Sequence, residues 1–164
     1  MSNEIVWSPP EEIVNSSKLT KFLKFCKLNN YDELEKKSYA DPGWLWDNVI
    51  KFSDLKFYQS YEKIMDESKG APWTKWCVGG KTNIVLNCID RHKEKKFFSE
   101  TFIFSEKEDG TKGSITYEEF SKQISKVGNA LKISGFQKGD VIALYMPQFI
   151  ETYIAYFAIL KIGC

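Results

Sequence analysis

The sequence predicts an α/β fold present as a fragment. A helical N-terminal arm comes first, followed by the first strands and helices of an incomplete parallel sheet. Three observations predict it. The apolar run 141–146, VIALYM, is of buried-strand type, and residues 149–161 continue as a helix pattern apolar on nearly all sides. A strand followed by a buried helix is the first half of a βαβ unit, whose partner strand lies in parallel beyond the crossover. Far upstream, Leu19, Phe22, Leu23 and Cys26 recur at helical spacing with lysines between them. Between these regions lies 73–92, WTKWCVGGKTNIVLNCIDRH, which has almost no helical or strand periodicity and reads as an ordered, irregular segment.

The elements follow in order. Trp7-Ser8-Pro9-Pro10 is extended, because proline disfavours helix in the residue before it. Short helices fill the rest of residues 1–70. Asp41-Pro42 starts one of them, with Asp41 as cap and Pro42 in the first turn, where its missing N–H is harmless. Leu45, Val49 and Phe52 then line one stripe. In the irregular segment 71–92, residues 73–78 make a poor strand, and 84–89 turn into a helix ending near Arg91. Thr101-Phe102-Ile103-Phe104 is a short strand, and Asp109-Gly110-Thr111-Lys112-Gly113 is a turn consistent with a hairpin. Thr116 and Glu119 form a capping box. Behind it Phe120, Ile124, Val127 and Leu131 share a face, and Gly135 closes the helix. Gly139-Asp140 turns the chain into the apolar run, and Pro147 ends it. Residues 93–164 thus begin an α/β domain, and the stop at Gly163-Cys164, after a buried helix, reads as a cut.

Several tempting motifs weaken when their spacing is checked. Gly79-Gly80-Lys81-Thr82 carries the ending of a phosphate-binding loop, but Lys75 stands where the first glycine belongs. Gly110-Thr111-Lys112-Gly113 is better read as a turn before the Thr116 cap. Asp90-Arg91-His92 are adjacent, so they cannot face one site from a regular helix. The favoured reading is a structural knot in which Arg91 donates to carbonyls or a carboxylate and Asp90 accepts from backbone N–H groups. Asn83 and Asn87, four apart, satisfy backbone in the same knot. Trp73 and Trp76 read as anchors for the loop. No nucleophile-plus-base pair is evident, so the sequence assigns no catalytic residue and no cofactor-binding residue.

Composition sets the outer bounds. The 164 residues are 43% hydrophobic and include 12 Phe, 8 Tyr and 5 Trp, which argues for a packed core and against disorder. Net charge is +1 with acids and bases interspersed, so neither nucleic acid nor a membrane is expected as a partner. Among 23 basic residues only Arg91 is arginine, the single bidentate guanidinium fork in the chain. The cysteines Cys26, Cys77, Cys88 and Cys164 have no Cys-x-x-Cys spacing, and with His92 the sole histidine no metal site reads out. The acidic start MSNEIVWSPPEEIVN has no signal-peptide core, and 149–160 is too short to span a bilayer of roughly 20 helical residues. These features lead us to expect a reduced, cytoplasmic protein.

One set of residues carries a family resemblance. Trp73, Trp76, Val78-Gly79-Gly80, Asn83, Asn87 and Asp90-Arg91-His92 resemble the N-terminal signature of acetyl-CoA synthetases and related short-chain acyl-CoA synthetases, which are AMP-forming. Ile115 to Phe120 looks like that family's helix start, and Lys138 to Pro147 is similar to its first core strand. Glu151, Ala155, Ala158 and Lys161-Ile162-Gly163 match the following helix, with Cys164 where alanine is usual. Trp7-Ser8-Pro9 and Asn30-Tyr31-Asp32-Glu33-Leu34 look like the arm of acetoacetyl-CoA-type relatives.

The resemblance implies the start of an acyl-CoA synthetase large domain and a two-step reaction. A carboxylate attacks the α-phosphate of Mg-ATP to give an acyl-adenylate and pyrophosphate, and the CoA thiol then displaces AMP. The family's phosphate loop, adenylate-binding set, CoA loop and catalytic lysine have no counterpart in residues 1–164. The chain alone is therefore expected to hold no cofactor and to be inactive, with Mg-ATP and CoA belonging to the complete enzyme. Three versions follow: an interrupted product without activity, half of a split enzyme whose partner is the remaining part of the synthetase, or a non-catalytic interaction module.

Overall fold

The computed structural model describes residues 6–164; the first five residues of the acidic start lie outside the described residues. The chain folds as two compact units. One holds residues up to Leu55 together with Ser60–Gly80, and the other holds Lys56–Gln59 together with Lys81–Cys164.

The first unit is a set of capped helices with a small hairpin. Helix α1 (Glu11–Ser16) follows Pro10, and Ser17 separates it from α2 (Lys18–Phe25). Ser17 caps α2 by accepting a hydrogen bond from the Thr20 amide at 3.0 Å. On α2 the buried Phe22 meets Phe52 edge to face at 5.2 Å, with Phe25 beside both. Asn30 caps α3 (Tyr31–Ala40) through the Glu33 amide. Asp41 caps α4 (Pro42–Phe52) as expected, its Oδ1 accepting from the Trp44 amide at 2.8 Å, with Pro42 in the first turn. Gly43 is buried because a Cβ there would come within 3.4 Å of the Ile64 methyl.

That close approach is to a hairpin the sequence reading missed. Strand β1 (Lys63–Asp66) pairs antiparallel with β2 (Lys75–Val78), placing Lys63 opposite Val78 and Met65 opposite Trp76. The region 73–78 was expected to be a poor strand. It forms one because its partner supplies the ladder, although KIMD and KWCV show no clean alternation and Cys77 has a positive φ of 49°.

The second unit carries the larger core. Helix α5 (Ile84–Cys88) leads through two 3₁₀ turns, Asp90–His92 and Lys96–Ser99, into strand β3 (Thr101–Glu106). The expected hairpin is present: β3 pairs antiparallel with β4 (Lys112–Thr116), turning at Gly110 with φ +80°. Helix α6 (Tyr117–Ile133) starts at the expected capping box, both halves of which are made. Helix α7 (Ile150–Ile162) ends on Gly163 in the left-handed region. Val85, Ile89, Phe120, Ile124 and Ala158 form the buried centre. Phe120 sits between Phe102 at 5.0 Å and Phe157 at 5.3 Å. Gly128 lets α6 approach α7, since a Cβ there would meet Ile162 at 3.2 Å.

Two expectations about the sheet change. The run 141–146 has no strand partner among the described residues, and Val141 and Tyr145 are almost wholly exposed. A β-strand exists only through its ladder, and an apolar sequence alone does not make one. Helix α7 was expected to be buried from several directions. Ala158 and Ile159 are buried, whereas Tyr153 and Tyr156 on other flanks are about half exposed. No helix among the described residues is long and apolar enough to cross a membrane.

Candidate functional site

The signature segment is where the chemistry-bearing side chains gather. Asp90 opens the first 3₁₀ turn and points its carboxylate at two ammonium groups. Lys161 of α7 donates to it at 2.9 and 3.1 Å, and Lys93 approaches at 2.9 Å. Burial alone would push this carboxyl up, but the two lysines together outweigh it and hold it below the ordinary carboxylate range. The expected knot exists, but among the described residues Asp90 accepts from lysine side chains and not from backbone N–H groups. Its partner Lys161 lies 71 residues downstream, a pairing that no local pattern announces.

Arg91 and His92 complete the turn. Arg91 Nε donates to His92 Nε2 at 3.3 Å. The imidazole packs against Phe97 at 5.3 Å and Tyr117 at 6.5 Å. Burial, with Arg91 and then Lys95 adding to it, lowers its pKa below the ordinary histidine value. The ring is therefore a neutral packing group near pH 7, and it accepts from its own neighbour, with no nucleophile to activate.

The two asparagines both satisfy backbone, in different places. Asn83 caps α5 through the Val85 amide at 2.8 Å and donates to the Leu160 carbonyl of α7 at 2.7 Å. Asn87 embraces Lys56, accepting from its amide at 2.8 Å and donating to its carbonyl at 3.0 Å. Thr82 Oγ1 donates to the same carbonyl at 2.7 Å, and the Lys81 amide donates to the Gln59 carbonyl. Asn87 thus does for Lys56 what a neighbouring strand would do.

These bonds also decide the phosphate-loop lookalike. Gly79 takes φ +78°, the Gly80 amide bonds the Cys77 carbonyl, and the Lys81 backbone and Thr82 hydroxyl are bonded as above. The amides close a turn, and the helix that follows is capped by Asn83. Gly110 likewise sits in the hairpin turn, with Asp109 Oδ1 accepting from the Thr111 amide. The two tryptophans differ in their surroundings. Trp73 is 71% exposed, while Trp76 stands edge-on to Trp46 at 6.1 Å. Among the described residues no three His, Cys, Asp or Glu side chains gather as a metal site.

Asn83, Asn87 and Asp90 are thus engaged in bonds that hold the chain together. The family described as "Acetyl-coenzyme A synthetase N-terminus" matches residues 31–88, and "AMP-binding enzyme" matches residues 89–164. The chain belongs to the AMP-forming acyl-CoA synthetases. It corresponds to their N-terminal part. It is 37% identical over 163 residues to acetyl-coenzyme A synthetase of Cupriavidus metallidurans, covering 99% of this chain and 24% of that one. Against the acetyl-coenzyme A synthetase of Chlorobaculum tepidum the identity is 30% over 163 residues, covering 99% and 23%. A 3-hydroxypropionyl-coenzyme A synthetase of Sulfurisphaera tokodaii is 34% identical over 136 residues, covering 83% and 20%. The fold matches acetoacetyl-CoA synthetase from Streptomyces lividans with a TM-score of 0.87 at 18% identity, covering 96% of this chain and 25% of that one. The chain spans about a quarter of the length of these synthetases.

Proposed function

We propose that this chain serves as the N-terminal part of an AMP-forming short-chain acyl-CoA synthetase and is inactive by itself. The complete enzyme would join a carboxylate, ATP and CoA into acyl-CoA, AMP and pyrophosphate, with Mg-ATP and CoA as its ligands. One observation carries the reading: both family descriptions match in tandem over residues 31–164, while Asp90 and Asn87 of the signature are engaged in structural bonds. Activation of a carboxylate at phosphorus depends on positioned donors and cations around the phosphates, whereas Asp90, Asn83 and Asn87 of the signature are bonded within the chain. Its role in the reading is architectural, and a cytoplasmic setting suits it.

A second reading is favoured by the unpaired run 141–146 with its exposed Val141 and Tyr145. There the chain is the structural half of a split synthetase, and a separately encoded remainder pairs with that run. The test is turnover by the chain alone. Acetate-, ATP- and CoA-dependent AMP release should be absent. Sustained AMP release that scales with the purified chain would overturn the proposal.

A further inference from the structure

We propose that the groove between helix α6 and the lysine-rich turn before β3 is a binding site for a small phosphorylated molecule. Glu118, Ser121, Lys122, Ser125 and Lys126 stand three and four residues apart, so they form one stripe of α6, on the side away from Phe120 and Ile124. Lys93, Lys95, Lys96 and Ser99 form the facing wall. Together with Phe98 these residues line an open cavity of about 720 Å³, within the range of small-molecule sites.

The charge there is not balanced. Lys122 is paired with Glu118 at 2.7 Å and Lys93 with Asp90 at 2.9 Å. Lys95, Lys96 and Lys126 have no carboxylate within ion-pair reach among the described residues. Three uncompensated ammonium groups around one concavity favour a multivalent anion.

The floor adds an independent observation. Ser121 is the buried polar residue of the described chain, only 7% exposed. Its carbonyl accepts from Ser125 Oγ, but its own hydroxyl has no partner among the described residues. Among the described residues no side-chain oxygen or nitrogen that is sealed from solvent lacks a partner, and Ser121 lines the groove, so this hydroxyl opens onto it. A buried O–H held free of protein acceptors at the bottom of a lysine-walled cleft suits a phosphate oxygen. A concave floor of this kind also favours a small molecule over a membrane surface, which would need an exposed, convex basic face.

The test is calorimetry on the full chain with tripolyphosphate as probe, at about 0.15 M ionic strength to screen diffuse attraction. Saturable binding at one site is expected. Lys96→Gln combined with Lys126→Gln should weaken it at least about tenfold, as for charge-assisted hydrogen bonds. Ser121→Ala should weaken binding by about threefold or more while leaving Tm unchanged or raised, since alanine favours the helix and no protein bond is lost. Three results would each overturn the site: heats that never saturate, affinity equal in all variants, or a Ser121→Ala loss of affinity accompanied by a fall in Tm. Binding to anionic vesicles or RNA without saturation by tripolyphosphate would overturn it as well.

Discussion

Replacing Lys161 with methionine removes the long-range tie between the signature turn and helix α7 while preserving side-chain bulk and helix propensity. Lys161 gives Asp90 two contacts, at 2.9 and 3.1 Å, from a side chain that is 25% exposed. A hydrogen bond to a charged group contributes about 1.5–3 kcal/mol. Lys93 remains on the same carboxylate at 2.9 Å, so the lower end applies and Lys161→Met should cost about 1.5 kcal/mol. Urea unfolding at pH 7 measures this as a lower midpoint with an unchanged slope. Asp90→Asn should cost a similar amount, and the double variant should fall short of the sum by about 1 kcal/mol. The pH dependence has a definite sign. Asp90's carboxyl is depressed in the fold, so its contribution is complete above its unfolded pKa, and it fades as pH falls through the depressed value. Wild type and Asp90→Asn should therefore converge in acid. Additivity of the two single variants within about 0.3 kcal/mol would refute the tie.

Other substitutions probe the remaining links. Thr116→Ala removes the cap made to the Glu119 amide at 3.1 Å and should lower stability by about 1 kcal/mol in the same urea assay. Phe120→Ala empties the ring position between Phe102 and Phe157 and should cost about 3–5 kcal/mol, enough to unfold a marginal domain. Asn87→Ala frees the Lys56 amide, whose hydrogen exchange should accelerate at least about tenfold while amides in α6 keep their protection. Tyr61, pushed up to about 12 by burial and then by its hydrogen bond to Asp47, should ionise last in an absorbance titration. Because its folded pKa is raised, its contribution is full below the unfolded value of about 10 and is lost as pH climbs toward the folded one.

What was legible in the sequence was local. The Asp41-Pro42 helix start and the Thr116–Glu119 box each lie within four residues, and both formed as read. The hairpin turn at Gly110 and the close of α7 at Gly163 are likewise set by single residues that tolerate φ > 0. What failed depended on partners elsewhere. Strand β2 forms because β1 lies beside it, and neither segment alternates clearly enough to declare itself. The apolar run 141–146 reads as a buried strand, yet without a neighbouring strand it has no ladder. The signature's residues were found by type and spacing, but their bonds reach Lys161, Leu160 and Lys56. Ser121 is polar at a buried position flanked by core residues, a signal visible only once the helix face is known.

In the function proposed, this chain forms the N-terminal part of a synthetase whose reacting groups lie outside it. The most direct test joins it in frame to the C-terminal three quarters of the Cupriavidus metallidurans acetyl-coenzyme A synthetase and measures acetate- and CoA-dependent AMP release. We predict turnover from the joined protein and none from either piece alone. A folded chimera with no turnover, or turnover by the unjoined chain, would contradict the claim.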